Sequence, residues 1–166
     1  MTSFIKKYFI ERKIRKNLER KRKLNIPLQS CFILFPENFV PEKNFLLQIS
    51  KKTGIPPENI HTVSLVKNKD NNEHFSLRIQ DVSITGKIKD HNMAKLISKP
   101  WDLLIDLTGL QDVFEQLISS EIKAGFKVGI TDKFPEFYDL MILSDEKNKN
   151  NFPGELEKYL HSLQII

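Results

Sequence analysis

Residues 101–130 read WDLLIDLTGLQDVFEQLISSEIKAGFKVGI, and this passage decides the fold. Its opening, Trp101 to Leu107, holds Leu103, Leu104, Ile105 and Leu107 and reads as a central strand. Thr108 is an N-cap candidate for a helix over residues 109 to about 124, with Val113, Phe114, Leu117, Ile118 and Ile122 on its inner side. Residues 126–130 then form the next strand. A strand, a helix and a strand in that order make a βαβ unit, whose strands are parallel.

Working upstream, residues 31–35 (Cys-Phe-Ile-Leu-Phe) form a second continuous apolar run, stopped by Pro36. Residues 41–53 carry Phe45, Leu46 and Ile49 at helical spacing and stop at Gly54, and residues 60–66 are rich in β-branched side chains. This second unit should cross over with the right hand. A polar turn at 67–73 leads into alternating residues 74–79, expected as an antiparallel edge strand. Residues 80–89 read as either loop or strand, and Asp90 caps a short helix through Ile97. Downstream, about eight residues separate 126–130 from 138–143, fewer than the dozen a parallel crossover usually takes, so the last strand is expected to be antiparallel. Residues 152–163 close the chain as a helix with Leu156, Tyr159, Leu160 and Leu163 inward. The expected architecture is a three-layer Rossmann-like α/β domain over residues 27–166. Its mixed sheet is mainly parallel with antiparallel edge strands, and a basic helical arm over residues 1–26 precedes it.

Residues 101–130 also resemble the strand, helix, strand passage in the N-terminal half of heptosyltransferase-type glycosyltransferases, where a DLVIDL strand leads through a helix to a strand ending in Gly. The resemblance spans about a fifth of the chain and implies a Rossmann-like half-domain. Over nearly the whole length, the basic N-terminal helix together with WDLLIDL (101–107), KAGFKVGI (123–130) and DLMI (139–142) is similar to an uncharacterised family of short bacterial α/β proteins. That similarity implies the fold and supplies no activity.

At 166 residues, with 40% hydrophobic and 28% charged residues, the chain has room for one domain with a core and is too apolar to be disordered throughout. Its formal charge of +5 is unevenly spread. Residues 1–24 hold ten cations (Lys6, Lys7, Arg12, Lys13, Arg15, Lys16, Arg20, Lys21, Arg22, Lys23) against Glu11 and Glu19, a net +8, while the remainder nets −3. Attraction for polyanions is therefore concentrated at one end. Ser3 is positioned to cap a helix running to about Leu24. At about 100° per residue, Met1, Phe4, Ile5, Tyr8 and Phe9 share one side while Ile10, Ile14 and Leu18 share another. Two uses follow: a helix whose first two turns pack on the body or on a second copy, making a homo-oligomer through Phe4, Ile5, Tyr8 and Phe9, or an arm lying on RNA, the ribosome or an anionic membrane surface. The single Cys31 and the absence of a secretory-type apolar core near the N-terminus lead to the expectation of a cytoplasmic protein, peripheral to a membrane at most.

Assembled chemistry is sparse. Open α/β sheets bind ligands beyond the carboxyl ends of their strands, which singles out Asp106 with Thr108 and Gly109, either as a ligand-binding group or as the start of the following helix. None of the six glycines is spaced as a dinucleotide or P-loop motif. His61, His74, His91 and His161 are far apart, Ser119-Ser120 lies mid-helix, and Cys31 sits in a core strand, so no metal, cofactor or catalytic residue is assigned. The reading is a non-enzymatic binding or adaptor domain whose basic helix contacts a polyanion. The alternative is a domain binding a small ligand or nucleotide sugar near Asp106.

Overall fold

The computed structural model describes residues 2–67, 76–144 and 148–166, with side chains from Phe4 onward. Helix α1 (Thr2–Leu18) precedes strand β1 (Cys31–Pro36), helix α2 (Phe45–Thr53), strands β2 (Ile60–Val66) and β3 (Ser76–Arg78), and helix α3 (His91–Ser98). Strand β4 (Trp101–Asp106), helix α4 (Val113–Glu121), strands β5 (Ala124–Gly129) and β6 (Leu140–Met141) and helix α5 (Phe152–Ser162) follow. The six strands of the described residues join one parallel sheet in the order β3-β2-β1-β4-β5-β6, so the sheet grows outward in both directions from the β1/β4 pair.

The continuous apolar runs are buried on both faces, as their composition demands. Phe32, Leu34 and Leu104 face α1, α3 and α4, packing with Ile10, Ile14, Ile97, Leu117 and Ile118. Cys31, Ile33, Ile105 and Val128 face α2 and α5, packing with Phe45, Ile49, Leu156 and Leu160. Cys31 is fully enclosed, and burial pushes its thiol pKa upward. Gly54 ends α2 in the left-handed conformation at φ 75° and donates its N–H to Ser50.

Both edge strands depart from expectation by running parallel to their neighbours. The crossover minimum presumes full-length strands, but β6 pairs only at Val128↔Leu140 and Gly129↔Met141, at the carboxyl end of β5. The chain therefore climbs back only two residues, and a short loop containing one 3-10 turn at Pro135–Phe137 suffices. β3 likewise pairs with only the last three residues of β2. The expected edge residues His74 and Phe75 lie outside the described residues, as do the polar stretches 68–73 and 145–147. Residues 80–89 resolve into a 3-10 turn at Ile79–Asp81 and an isolated antiparallel bridge, Val82↔Ile88. Asp90 caps α3 by accepting the Met93 N–H at 2.7 Å.

Helix α1 stops at Leu18 instead of continuing to Leu24, and it lies on α4. The stripe it buries is Ile10 and Ile14, while Phe4 is 78% and Tyr8 57% exposed. Lys13 bridges to Glu121 at 3.0 Å and donates to the Gly86 carbonyl at 2.7 Å. Lys6 donates to the carbonyls of Ile79 and Val82. The buried Asn17 amide donates to Ser120 Oγ and Glu121 Oε1 at 3.1 and 2.6 Å, which fixes the last turn of α1 to the last turn of α4.

Candidate functional site

The carboxyl edge of the sheet, where the strand order reverses, holds Asp106. It is fully buried. The Thr108 N–H and hydroxyl donate to its Oδ1 at 2.9 and 2.6 Å, and the Tyr138 hydroxyl donates to Oδ2 at 2.8 Å. Burial, and next the charge of Asp106, push the Tyr138 pKa upward, so this hydroxyl stays a donor. Gly129, paired with Asp106 across the sheet, makes the contact possible, because a Cβ there would enter the Tyr138 ring. Neither Asp106 nor Thr108 starts the helix. Gly109 (φ 79°) and Leu110 (φ 55°) are both left-handed, a backbone no right-handed helix accepts, and α4 begins only at Val113. Asp112 is the cap, accepting from Phe114 N–H and Glu115 N–H at 3.0 and 2.9 Å. Asp106 thus serves as an internal tie between β4, the following turn and Tyr138.

At the opposite, amino edge the chain builds a different environment. After Leu18 the chain turns, with Arg20 N–H donating to the Asn17 carbonyl at 3.2 Å, and crosses β5 at Gly125. A Cβ on Gly125 would stand 2.5 Å from the Lys23 carbonyl oxygen, so glycine is what lets the two backbones meet. Under this crossing lies a cavity of about 490 Å³. Six cations line it: Arg20, Lys21, Arg22, Lys23, Lys123 and Lys127. The one lining carboxylate among the described residues, Asp102, is engaged by the N–H groups of Gln29 and Ser30, the Ser30 hydroxyl and the Asn25 amide. Arg22 forms a two-pronged pair with Asp139 at 2.5 and 2.9 Å.

Lys127 sits within β5 and is 5% exposed. Its ammonium makes one long hydrogen bond, to the Ser119 carbonyl at 3.3 Å, and no carboxylate of the described residues lies within 4.0 Å. Burial, followed by the positive charge of Arg22, pulls its pKa down to about 8, against the smaller opposing pull of Asp106 and Asp139.

The structure divides the ten N-terminal cations. Lys6, Lys13 and Arg22 are tied to the body and Lys7 pairs with Glu11 along α1. Arg12, Arg15, Lys16, Arg20, Lys21 and Lys23 are exposed and face no carboxylate within 4.0 Å among the described residues. On α1 itself the exposed face runs from Phe4, Ile5, Tyr8 and Phe9 directly into Arg12, Arg15 and Lys16. Among the described residues no three His, Cys, Asp or Glu converge, and no helix is long and apolar enough to cross a membrane.

The family described as Family of unknown function (DUF6913) matches residues 6–163. The chain belongs to that family. The DUF6913 match takes in α1 from Lys6, the crossing segment and β5, and so spans both walls of the cavity. No curated protein and no solved structure matches the chain.

Sequence reasoning identified the cations of residues 1–24 but missed Lys123 and Lys127. The signal for Lys127 was there: one lysine inside the otherwise apolar run Phe126 to Ile130.

Proposed function

We propose that this domain binds a phosphate-rich polyanion, with single-stranded RNA as the partner. The observation carrying this reading is the division of labour among the N-terminal cations: Lys13 and Arg22 pair with carboxylates of the body, Lys6 is held by its backbone carbonyls, and Arg12, Arg15, Lys16, Arg20, Lys21 and Lys23 are left facing solvent. Six exposed cations without counter-charges repel one another, and bound phosphates relieve that repulsion while releasing counterions.

RNA suits the surface better than a bilayer for two reasons. The cations continue past the turn at Arg20 onto the segment crossing β5, a bent path that a flexible phosphate chain follows and a flat membrane does not. Exposed Phe4, Tyr8 and Phe9 precede the cations on one helix face and offer rings for stacking bases. The same rings could instead join two copies. A reducing, cytoplasmic setting agrees with the enclosed thiol of Cys31. The alternative at Asp106 draws no support from that carboxylate, which is fully enclosed and hydrogen-bonded at both oxygens.

The test is anisotropy titration of a labelled single-stranded RNA at two salt concentrations. Six phosphate contacts imply a slope of log K against log salt of about −4, and the triple variant Arg12→Glu/Arg15→Glu/Lys16→Glu should flatten it by about 2. Sedimentation of the wild type reports any pairing through the aromatic face. Absence of RNA binding together with capture by phosphatidylserine vesicles, lost in the same variant, assigns the surface to membranes and overturns the RNA reading.

A further inference from the structure

We infer that the cavity between residues 20–23 and strand β5 is a site for a phosphomonoester on a molecule of nucleotide size, with Lys127 on its floor contacting the phosphate. The inference deepens the polyanion reading and rests on it only for the nature of the anion. What carries it independently is Lys127. Buried ammonium groups in folded proteins are paired with carboxylates or shed their proton, because removing the charge from water is costly. Lys127 is 5% exposed and has only a 3.3 Å contact to a neutral carbonyl. With Arg22 committed to Asp139 and Asp102 committed to the backbone at 29–30, no other carboxylate of the described residues lines the cavity to balance it.

The surroundings fit an anion that is compact, doubly charged and attached to something larger. Arg20, Lys21, Lys23 and Lys123 ring the cavity and are exposed, so they meet the ligand while it still faces water. Strand β5 adds Lys127 to the cations of the lining, and the second negative charge of a monoester answers that cluster better than the single charge of a diester. The volume of about 490 Å³ exceeds what one phosphate fills and falls in the range of pockets that enclose small ligands. The lowered pKa of Lys127, about 8, leaves the group mostly protonated at neutral pH and available to an anion.

Thermal-shift and calorimetric titrations on the full chain would use inorganic phosphate, AMP and adenosine as probes. AMP should bind and raise Tm, phosphate should bind more weakly, and adenosine should leave the protein unchanged. Lys127→Met, which keeps the length of the side chain without its charge, should weaken AMP by at least about tenfold. Should that variant fold poorly, the wild type still decides: NMR of lysine-labelled protein should show the Lys127 ammonium pKa rising on addition of AMP. AMP affinity equal in wild type and Lys127→Met, or no response to either phosphate or AMP up to about 10 mM, overturns the site. A 5′-phosphorylated RNA that binds more tightly than its 5′-hydroxyl counterpart identifies a strand end as the source of the phosphate. Equal affinity of those two RNAs with AMP bound identifies a free nucleotide.

The two readings fail separately. The triple variant on α1 leaves the cavity intact, so loss of RNA binding with AMP binding preserved affects only the surface reading. RNA binding that survives in Lys127→Met while AMP binding is absent from the wild type affects only the cavity.

Discussion

Glu115 gives the most direct test of the buried electrostatics. It lies on the inner side of α4, is 5% exposed, and its Oε2 accepts the Gln111 N–H at 2.6 Å. Burial raises its carboxyl from 4.5 to about 7, with the Gln111 amide pulling it down and Asp112 and Asp106 adding to the rise. The folded chain thus holds a proton that the unfolded chain has already released. That contribution is fully present below pH 4.5, and it is lost as pH rises through 7. At 1.36 kcal/mol per pH unit the loss amounts to about 3 kcal/mol. Glu115→Gln keeps an oxygen to accept from Gln111 and cannot ionise. Urea unfolding between pH 5 and 8 should show the wild type losing about 2–3 kcal/mol more than the variant over that span. His61, whose pKa is lowered by burial and by Lys99, titrates alike in both chains and cancels in the comparison. Stability curves that run parallel to within about 0.5 kcal/mol would refute the reasoning.

Three further outcomes follow from the geometry. Tyr138→Phe removes the donor to Asp106 and leaves a buried carboxylate oxygen unpaired, so it should cost about 1–3 kcal/mol in denaturant unfolding. Ile14→Ala should cost about 2–5 kcal/mol by opening a cavity between α1 and α4, whereas Tyr8→Ala on the exposed side should stay within about 0.5 kcal/mol; thermal melts of the pair check which stripe docks. For Lys127 the native pKa of about 8 lies below 10.5, so its share of stability is present above pH 10.5 and lost as pH falls through 8. Lys127→Met should remove that dependence and, at pH 7 without ligand, match or exceed the wild type by about 1–3 kcal/mol in urea titrations.

The body of the fold was legible because its strands are buried on both faces. Runs such as Cys31 to Phe35 and Leu103 to Ile105 leave no polar side chain for a solvated face, and strands of that kind alternating with helical segments allow little but βαβ packing. The edges were less legible, since β3 and β6 are three and two residues long and the rule for crossovers applies to longer strands. The start of α4 misled for a local reason: Thr108 and Asp112 are both good caps, and only the left-handed backbone at Gly109 and Leu110 decides between them. Helix α1 offers two apolar stripes. The choice of Ile10 and Ile14 over Phe4 and Tyr8 depends on which one the surface of α4 accepts, which no local pattern records. The cavity was beyond reach of the sequence, because its cations come from two segments a hundred residues apart with no motif spacing.

The two edges of the sheet illustrate opposite ways of keeping a charge inside a protein. At the carboxyl edge the buried charge of Asp106 is satisfied by three donors from the chain itself, two from Thr108 and one from Tyr138, so it ties elements together and leaves nothing for a ligand. At the amino edge Lys127 receives one distant carbonyl, and its burial and the charge of Arg22 outweigh the opposing pull of Asp106 and Asp139, an arrangement that lowers stability unless something negative arrives. Natural folds break the rule of paired buried charge mainly where function requires it. Helix α1 makes that break possible: Ile10, Ile14 and Asn17 fix the rod against α4, and the fixed rod carries Arg20 to Lys23 over Gly125 and above the unpaired ammonium. The basic N-terminal segment is thereby one wall of the proposed anion site, with Lys127 of the sheet on another, so removing residues 1–24 should abolish anion binding and destabilise the body together.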